Sequence, residues 1–99
     1  MNTEILEWKD ATNYKRDKER VQTSWELKLG RLRIWIGNSH MYNPGVFTMH
    51  CFQLGFDTID LKVPADKLES AKIKAIKICL ERAKEHYMAL ENYFNQPTH

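Results

Sequence analysis

Ile73, Ile76, Leu80, Ala83, Tyr87, Leu90 and Phe94 recur at alternating steps of three and four, the spacing that aligns side chains along one face of an α-helix. No other stretch of the chain holds a regular pattern so long, so residues 66–94 are predicted to form the helix around which everything upstream must be arranged. Pro64 stops a preceding strand, and Asp66 with Glu69 three residues later reads as a capping box. Asn95-Gln96-Pro97 ends the run. A helix of this length reaches about 40 Å, against about 20 Å for a six-residue strand. The expectation is a lid whose first half covers the strands and whose second half, from Ala83, overhangs them. Tyr87, Leu90, Tyr93 and Phe94 would be exposed there, and such a patch calls for cover by the N-terminal segment, a second copy of the chain, or a target protein.

The strands begin at Trp25. Trp25, Leu27 and Leu29 alternate with Glu26 and Lys28; after Gly30-Arg31, Leu32, Ile34 and Ile36 alternate with Arg33 and Trp35. The apolar set moves from odd to even positions across the glycine, which would turn half of a straight strand to solvent. A two-residue hairpin with Gly30 at positive φ resolves this and pairs Leu29 with Leu32, Leu27 with Ile34 and Trp25 with Ile36. A bulge at Gly30 in one long strand is the competing reading. In the hairpin, Trp35 points away from the core beside Arg33, as a rim residue or as a contact residue.

Residues 37–45 are a loop by composition, long for a hairpin connection and of the kind that carries function. His40, Met41 and Tyr42 lie at its tip as candidate contact residues, the alternative being that Met41 or Tyr42 folds back onto the sheet edge. Residues 46–54 and 58–63 read as two further strands. A tight turn at Gly55-Phe56 would pair Phe52 with Ile59, His50 with Leu61 and Thr48 with Val63, placing His50 in or near the core. The apolar set Phe47, Met49 and Cys51 on the other face implies cover on both sides, the helix on one and the N-terminal segment on the other; a register-resetting bulge near Gly55 is the alternative. Residues 1–23 are a partly ordered segment: Ile5, Leu6 and Trp8 form a short element docked on the domain, and the charged run 15–20 is a solvated turn or link. Residues 24–99 form one α+β domain.

The 99 residues, 42% hydrophobic, suffice for one core and not two. Fifteen Lys and Arg against thirteen Asp and Glu, well mixed, give +2, too even a balance for a dedicated polyanion binder. Cys51 and Cys79 lack the spacing of a disulfide framework or zinc ribbon and read as buried thiols in a reducing compartment. Drawing Cys79 and His86 together with His50 and Cys51 makes a poor zinc site, since structural ligands come in closely spaced pairs on turns; no metal or cofactor is expected. The chain starts without a basic-then-apolar leader and holds no membrane-length apolar run, so it is expected to be cytoplasmic. A glycine-rich phosphate loop, Gly-x-Ser-x-Gly, His-Glu-x-x-His and Cys-x-x-Cys are all missing from the sequence, and Asp57 and Asp60 are spaced to face opposite sides of a strand. The chain is expected not to be an enzyme. Lys67, Lys72, Lys74 and Lys77 gather near the helix start; they are either a solvated face or a surface for phosphates.

Two families share part of this pattern. Residues 68–76, Leu-Glu-Ser-Ala-Lys-Ile-Lys-Ala-Ile, with His40, Pro44 and Phe47 upstream, resemble the second half of a double-stranded-RNA-binding domain over less than half of the chain, without that family's run of consecutive lysines at the helix start. That likeness implies nucleic-acid binding through Lys67, Lys72, Lys74 and Lys77. The Trp-rich hairpin 25–36 leading to the helix at 68–83 resembles small phage- and prophage-encoded proteins over about two thirds of the chain. Some of those bind and inhibit host defence or replication proteins. Taken together, the expectation is an antiparallel sheet of three to four strands on one long C-terminal helix. It would act as a noncatalytic binding protein that occupies a surface of a host protein through Trp35, His40, Met41, Tyr42, Tyr87, Leu90, Tyr93 and Phe94. A homodimer through the same helix residues, or a nucleic-acid module, is the alternative.

Overall fold

A computed structural model describes residues 7–15 and 21–97. They form one antiparallel meander of five strands in chain order, β1 (Lys9–Asp10), β2 (Ser24–Leu29), β3 (Leu32–Gly37), β4 (Val46–Cys51) and β5 (Phe56–Pro64), followed by a single helix, α1 (Leu68–Phe94). The architecture is α+β, an antiparallel sheet packed on one long C-terminal helix. The expectations for Ile5, Leu6 and most of the run 15–20 lie outside the described residues.

The β2–β3 hairpin follows from the parity change at Gly30. Leu29 pairs with Leu32, Leu27 with Ile34 and Trp25 with Ile36, and Gly30 takes φ of 63°, the left-handed turn conformation that glycine adopts without a Cβ clash. The register of β4 and β5 differs from the tight hairpin expected at Gly55-Phe56. Phe52–Leu54 forms a short 3₁₀ turn, Cys51 pairs with Phe56, Met49 with Ile59 and Thr48 with Asp60, with irregularities on both sides of the Thr48–Met49 pair. These bulges turn Phe47, Met49 and Cys51 to the helix side, where all three are fully buried, and send His50 to the opposite face. Lys62 completes the adjustment with φ of 56°, its N–H donating to Asp60 Oδ1 at 2.7 Å; the side chain of Asp60 replaces the ladder partner that the bulge removes.

The core lies between sheet and helix: Trp25, Ile34, Ile36, Phe47, Met49, Phe56, Leu61 and Val63 from the strands meet Ala71, Ala75 and Cys79 from α1. The helix covers the sheet as expected, but not with the expected stripe. Ala71 and Ala75 are fully buried, whereas Ile73 is 55% and Leu80 52% exposed. Ile76 lies about 100° around the helix from Ala75, so the large apolar stripe faces away from the chain's own sheet. The physical reason is volume. The sheet face already presents bulky side chains, and a close-packed interface leaves room for alanine and cysteine, flanked by Leu68 and Ile78.

Capping also differs from the expected box. Lys67, not Asp66, occupies the N-cap, and no side chain caps the helix there. Asp66 and Glu69 are exposed, and Lys67 N–H instead donates to Pro64 O at 2.9 Å. Arg82 ties the helix to the strands: its guanidinium donates to Leu54 O at 3.1 Å and lies 4.2 Å over the Phe56 ring. Beyond it every residue from Ala83 to Phe94 is exposed, the overhang that helix length requires.

Of the N-terminal segment's described residues, Trp8 packs against the core and Lys9–Asp10 form a short strand. It extends the sheet edge, Lys9 opposite Glu26 and Asp10 opposite Trp25. Thr12 Oγ1 accepts from the N–H groups of Thr23 and Ser24 at 2.9 and 3.2 Å. Thr12, Tyr14 and Gln22 all donate to the Asp10 carboxylate, and these bonds, Thr12 first, hold its pKa down at about 2.

Candidate functional site

The outer sheet face, away from the helix, is where the loop residues and Trp35 come together. Alternation in β3 points Trp35 outward, because Ile34 and Ile36 on either side are buried. Its neighbours across the ladder are Glu26 on β2 and His50 on β4. The Trp35 and His50 rings are 4.7 Å apart, His50 stacks on Phe52 at 5.2 Å with a 27° tilt, and Trp35 and Phe52 are 6.3 Å apart. Desolvation in this row lowers the His50 pKa from its usual 6.5, against the opposing pull of Asp57 and Glu26, so the imidazole is neutral at pH 7.

The loop after β3 stands over this row. Asn38 anchors one end, its N–H donating to Thr23 O at 3.0 Å and its side-chain amide to Ala65 O at 3.1 Å; Ala65 N–H donates to Gly45 O at 3.0 Å and holds the other. At the tip, Tyr42 N–H donates to His40 Nδ1 at 3.2 Å and the two rings are 5.9 Å apart. With Nδ1 accepting, Nε2 is the ring nitrogen left to donate. Between loop and sheet lies a groove of about 650 Å³, with Trp35, His50 and Thr48 in its floor and His40, Met41 and Tyr42 along its wall. Ser24, Ser39 and Thr58 supply further hydroxyls, and among the described residues no Lys, Arg, Asp or Glu lines it. Met41 and Tyr42 are exposed; neither is folded into the core.

No match emerges from comparison with protein families, with curated proteins or with solved structures. The chain's chemistry has to be read from its own geometry.

The expected contact residues therefore fall into two groups on opposite sides of the molecule. Trp35, His40, Met41 and Tyr42 share the groove. Tyr87, Leu90, Tyr93 and Phe94 lie on the overhanging part of α1, all more than half exposed, with Ile73, Ile76 and Leu80 continuing that apolar surface toward the helix start. The four lysines do not form one face. Lys74 and Lys77 point outward, but Lys72 lies about 160° around the axis from Lys74 and pairs with Glu69 at 3.1 Å. Lys67 is exposed at the N-cap.

Among the described residues, no group of three or more His, Cys, Asp and Glu is placed to hold a metal ion. Cys51 and Cys79 are free thiols buried in the core, whereas His50 is on the other side of the sheet and His86 is exposed on the overhang. Burial, and secondarily contact with Cys51, pushes the Cys79 thiol up to about 12, so it is neither a thiolate ligand nor a nucleophile at pH 7. No helix of the described residues is long and apolar enough to cross a membrane.

His50 and Phe52 are the site residues that sequence reasoning missed. The signal was present in Phe47, Met49 and Cys51, whose alternation demands that His50 face the other way, but the tight-turn register at Gly55 obscured it.

Proposed function

We propose that this is a noncatalytic binding protein whose α1 stripe seats against another protein. The carrying observation is that Ile73, Ile76, Leu80 and Tyr87 form an apolar stripe turned from the chain's own sheet and that Leu90 extends it on the overhang beyond the sheet, with exposures from 39 to 71%. Exposed apolar surface of this extent is a feature of interaction sites. Its spacing suits an apolar groove that accepts residues at i, i+3/i+4 and i+7. Arg82, tied to Leu54 O and the Phe56 ring, fixes the angle at which the overhang is presented.

The resemblance to small phage-type proteins suggests the setting: a cytoplasmic inhibitor that occupies a surface of a host defence or replication protein. A homodimer would use the same stripe. The nucleic-acid reading has less support, because Lys72 is paired and turned away from Lys74 and Lys77.

The test is a nuclease-treated pull-down from bacterial lysate with the wild type and a Leu80→Asp, Leu90→Asp double variant, alongside sedimentation of both. A specific protein partner, or a dimer, that the wild type holds and the double variant loses supports the stripe. If both proteins have the same mass in solution and the same partners, the stripe is not a binding surface; partners that vanish with nuclease transfer the function to Lys67, Lys74 and Lys77.

A further inference from the structure

We infer that the groove on the outer sheet face is a second binding site, independent of the helix stripe, that takes an uncharged, planar heteroaromatic ring of nucleobase size. Three observations combine. The floor is aromatic: the Trp35 and His50 ring centroids are 4.7 Å apart, and Tyr42, with its side chain exposed, lines the same groove from the loop. A flat ring laid on this floor has π-surface beneath it, an arrangement that stacks any base, and Tyr42 is the loop residue able to add a second stacking contact. The groove also offers hydroxyls and an imidazole: Ser24 and Thr48 can donate or accept, and the Nε2–H of His40 can donate, toward the ring's polar rim. The volume, about 650 Å³, is that of a small-molecule site.

Charge selects the form of the ligand. Among the described residues no Lys or Arg lines the groove, and the charged groups acting on His50 in its floor are the carboxylates Asp57 and Glu26. A phosphate would gain no cationic partner from these residues and would meet negative charge, so the site prefers a base or nucleoside to a nucleotide or a nucleic-acid strand.

The experiment is a titration of the isotopically labelled full chain with adenosine, guanosine, cytidine and uridine, and with the matching 5′-monophosphates, followed by the Trp35 indole and His50 ring signals. At least one nucleoside should shift both and saturate, the monophosphate should bind more weakly, and Tyr42→Ala should weaken binding about tenfold, the worth of one stacking contact. Tyr42 is 83% exposed, so that variant keeps the fold; Thr48→Val, which removes a hydroxyl from the floor, is the second. The inference is overturned if no nucleoside moves the Trp35 and His50 signals, if Tyr42→Ala and Thr48→Val both bind like the wild type, or if the monophosphate or a single-stranded oligonucleotide binds more tightly than the nucleoside.

Discussion

Ala75→Leu and Leu80→Ala, made separately, test which face of α1 carries the sheet. Ala75 is fully buried and Leu80 52% exposed. Leucine at 75 forces extra methylenes into a filled interface, at a cost of about 1–3 kcal/mol. Removing Leu80 forfeits roughly half of what full burial of a leucine contributes, about 1 kcal/mol, whereas a leucine on the sheet-facing stripe would cost about 2–5 kcal/mol. In a domain of this size each kcal/mol moves the melting temperature by about 4–8 °C. Ala75→Leu should therefore lower it by roughly 5–20 °C and Leu80→Ala by about 5 °C. Urea unfolding read at two protein concentrations tenfold apart provides the assay, since a dimer through the stripe would add a concentration-dependent term to Leu80→Ala alone. A loss above about 3 kcal/mol for Leu80→Ala at the lower concentration, with Ala75→Leu tolerated, would refute the packing described above.

Two further outcomes follow from the site and the strands. The Cys79 thiol pKa stands at about 12 in the fold against an ordinary 9.0, so its stabilising contribution is complete below about pH 9 and is lost as pH rises toward 12. The urea midpoint should thus fall more steeply between pH 8 and 10.5 in the wild type than in Cys79→Ala, and equal slopes would contradict the burial of that thiol. Lys62 holds φ of 56°, a conformation that costs an L-residue about 1 kcal/mol; Lys62→Gly should leave stability unchanged or raise the melting temperature by a few degrees, whereas Lys62→Val should lower it.

Much of the fold was legible in local rules. The parity change across Gly30 sets the β2–β3 register pair by pair, because a strand's two faces cannot both be core, and the three-and-four spacing sets a helix that outruns its sheet. The candidate site was legible only in pieces. Trp35 is outward by alternation and the loop tip is conspicuous by composition, but nothing in their sequence separation shows that they share a groove. His50 joins them through the β3–β4 register, which sets it opposite Trp35; that pairing spans the 37–45 loop, and a one-residue shift would exchange the faces of the strand.

The sequence alone determines the elements: one hairpin, two further strands, and a long helix with a stripe of large apolar side chains; the second face, of alanine and cysteine at the same periodicity, emerged with the structure. Which face turns inward was decided by tertiary packing. Periodicity specifies direction around an axis but carries no information about the space on the other side, and a sheet already filled by Trp25, Ile36, Phe47 and Met49 accepts small side chains. The larger ones are left facing solvent on the other side of the helix.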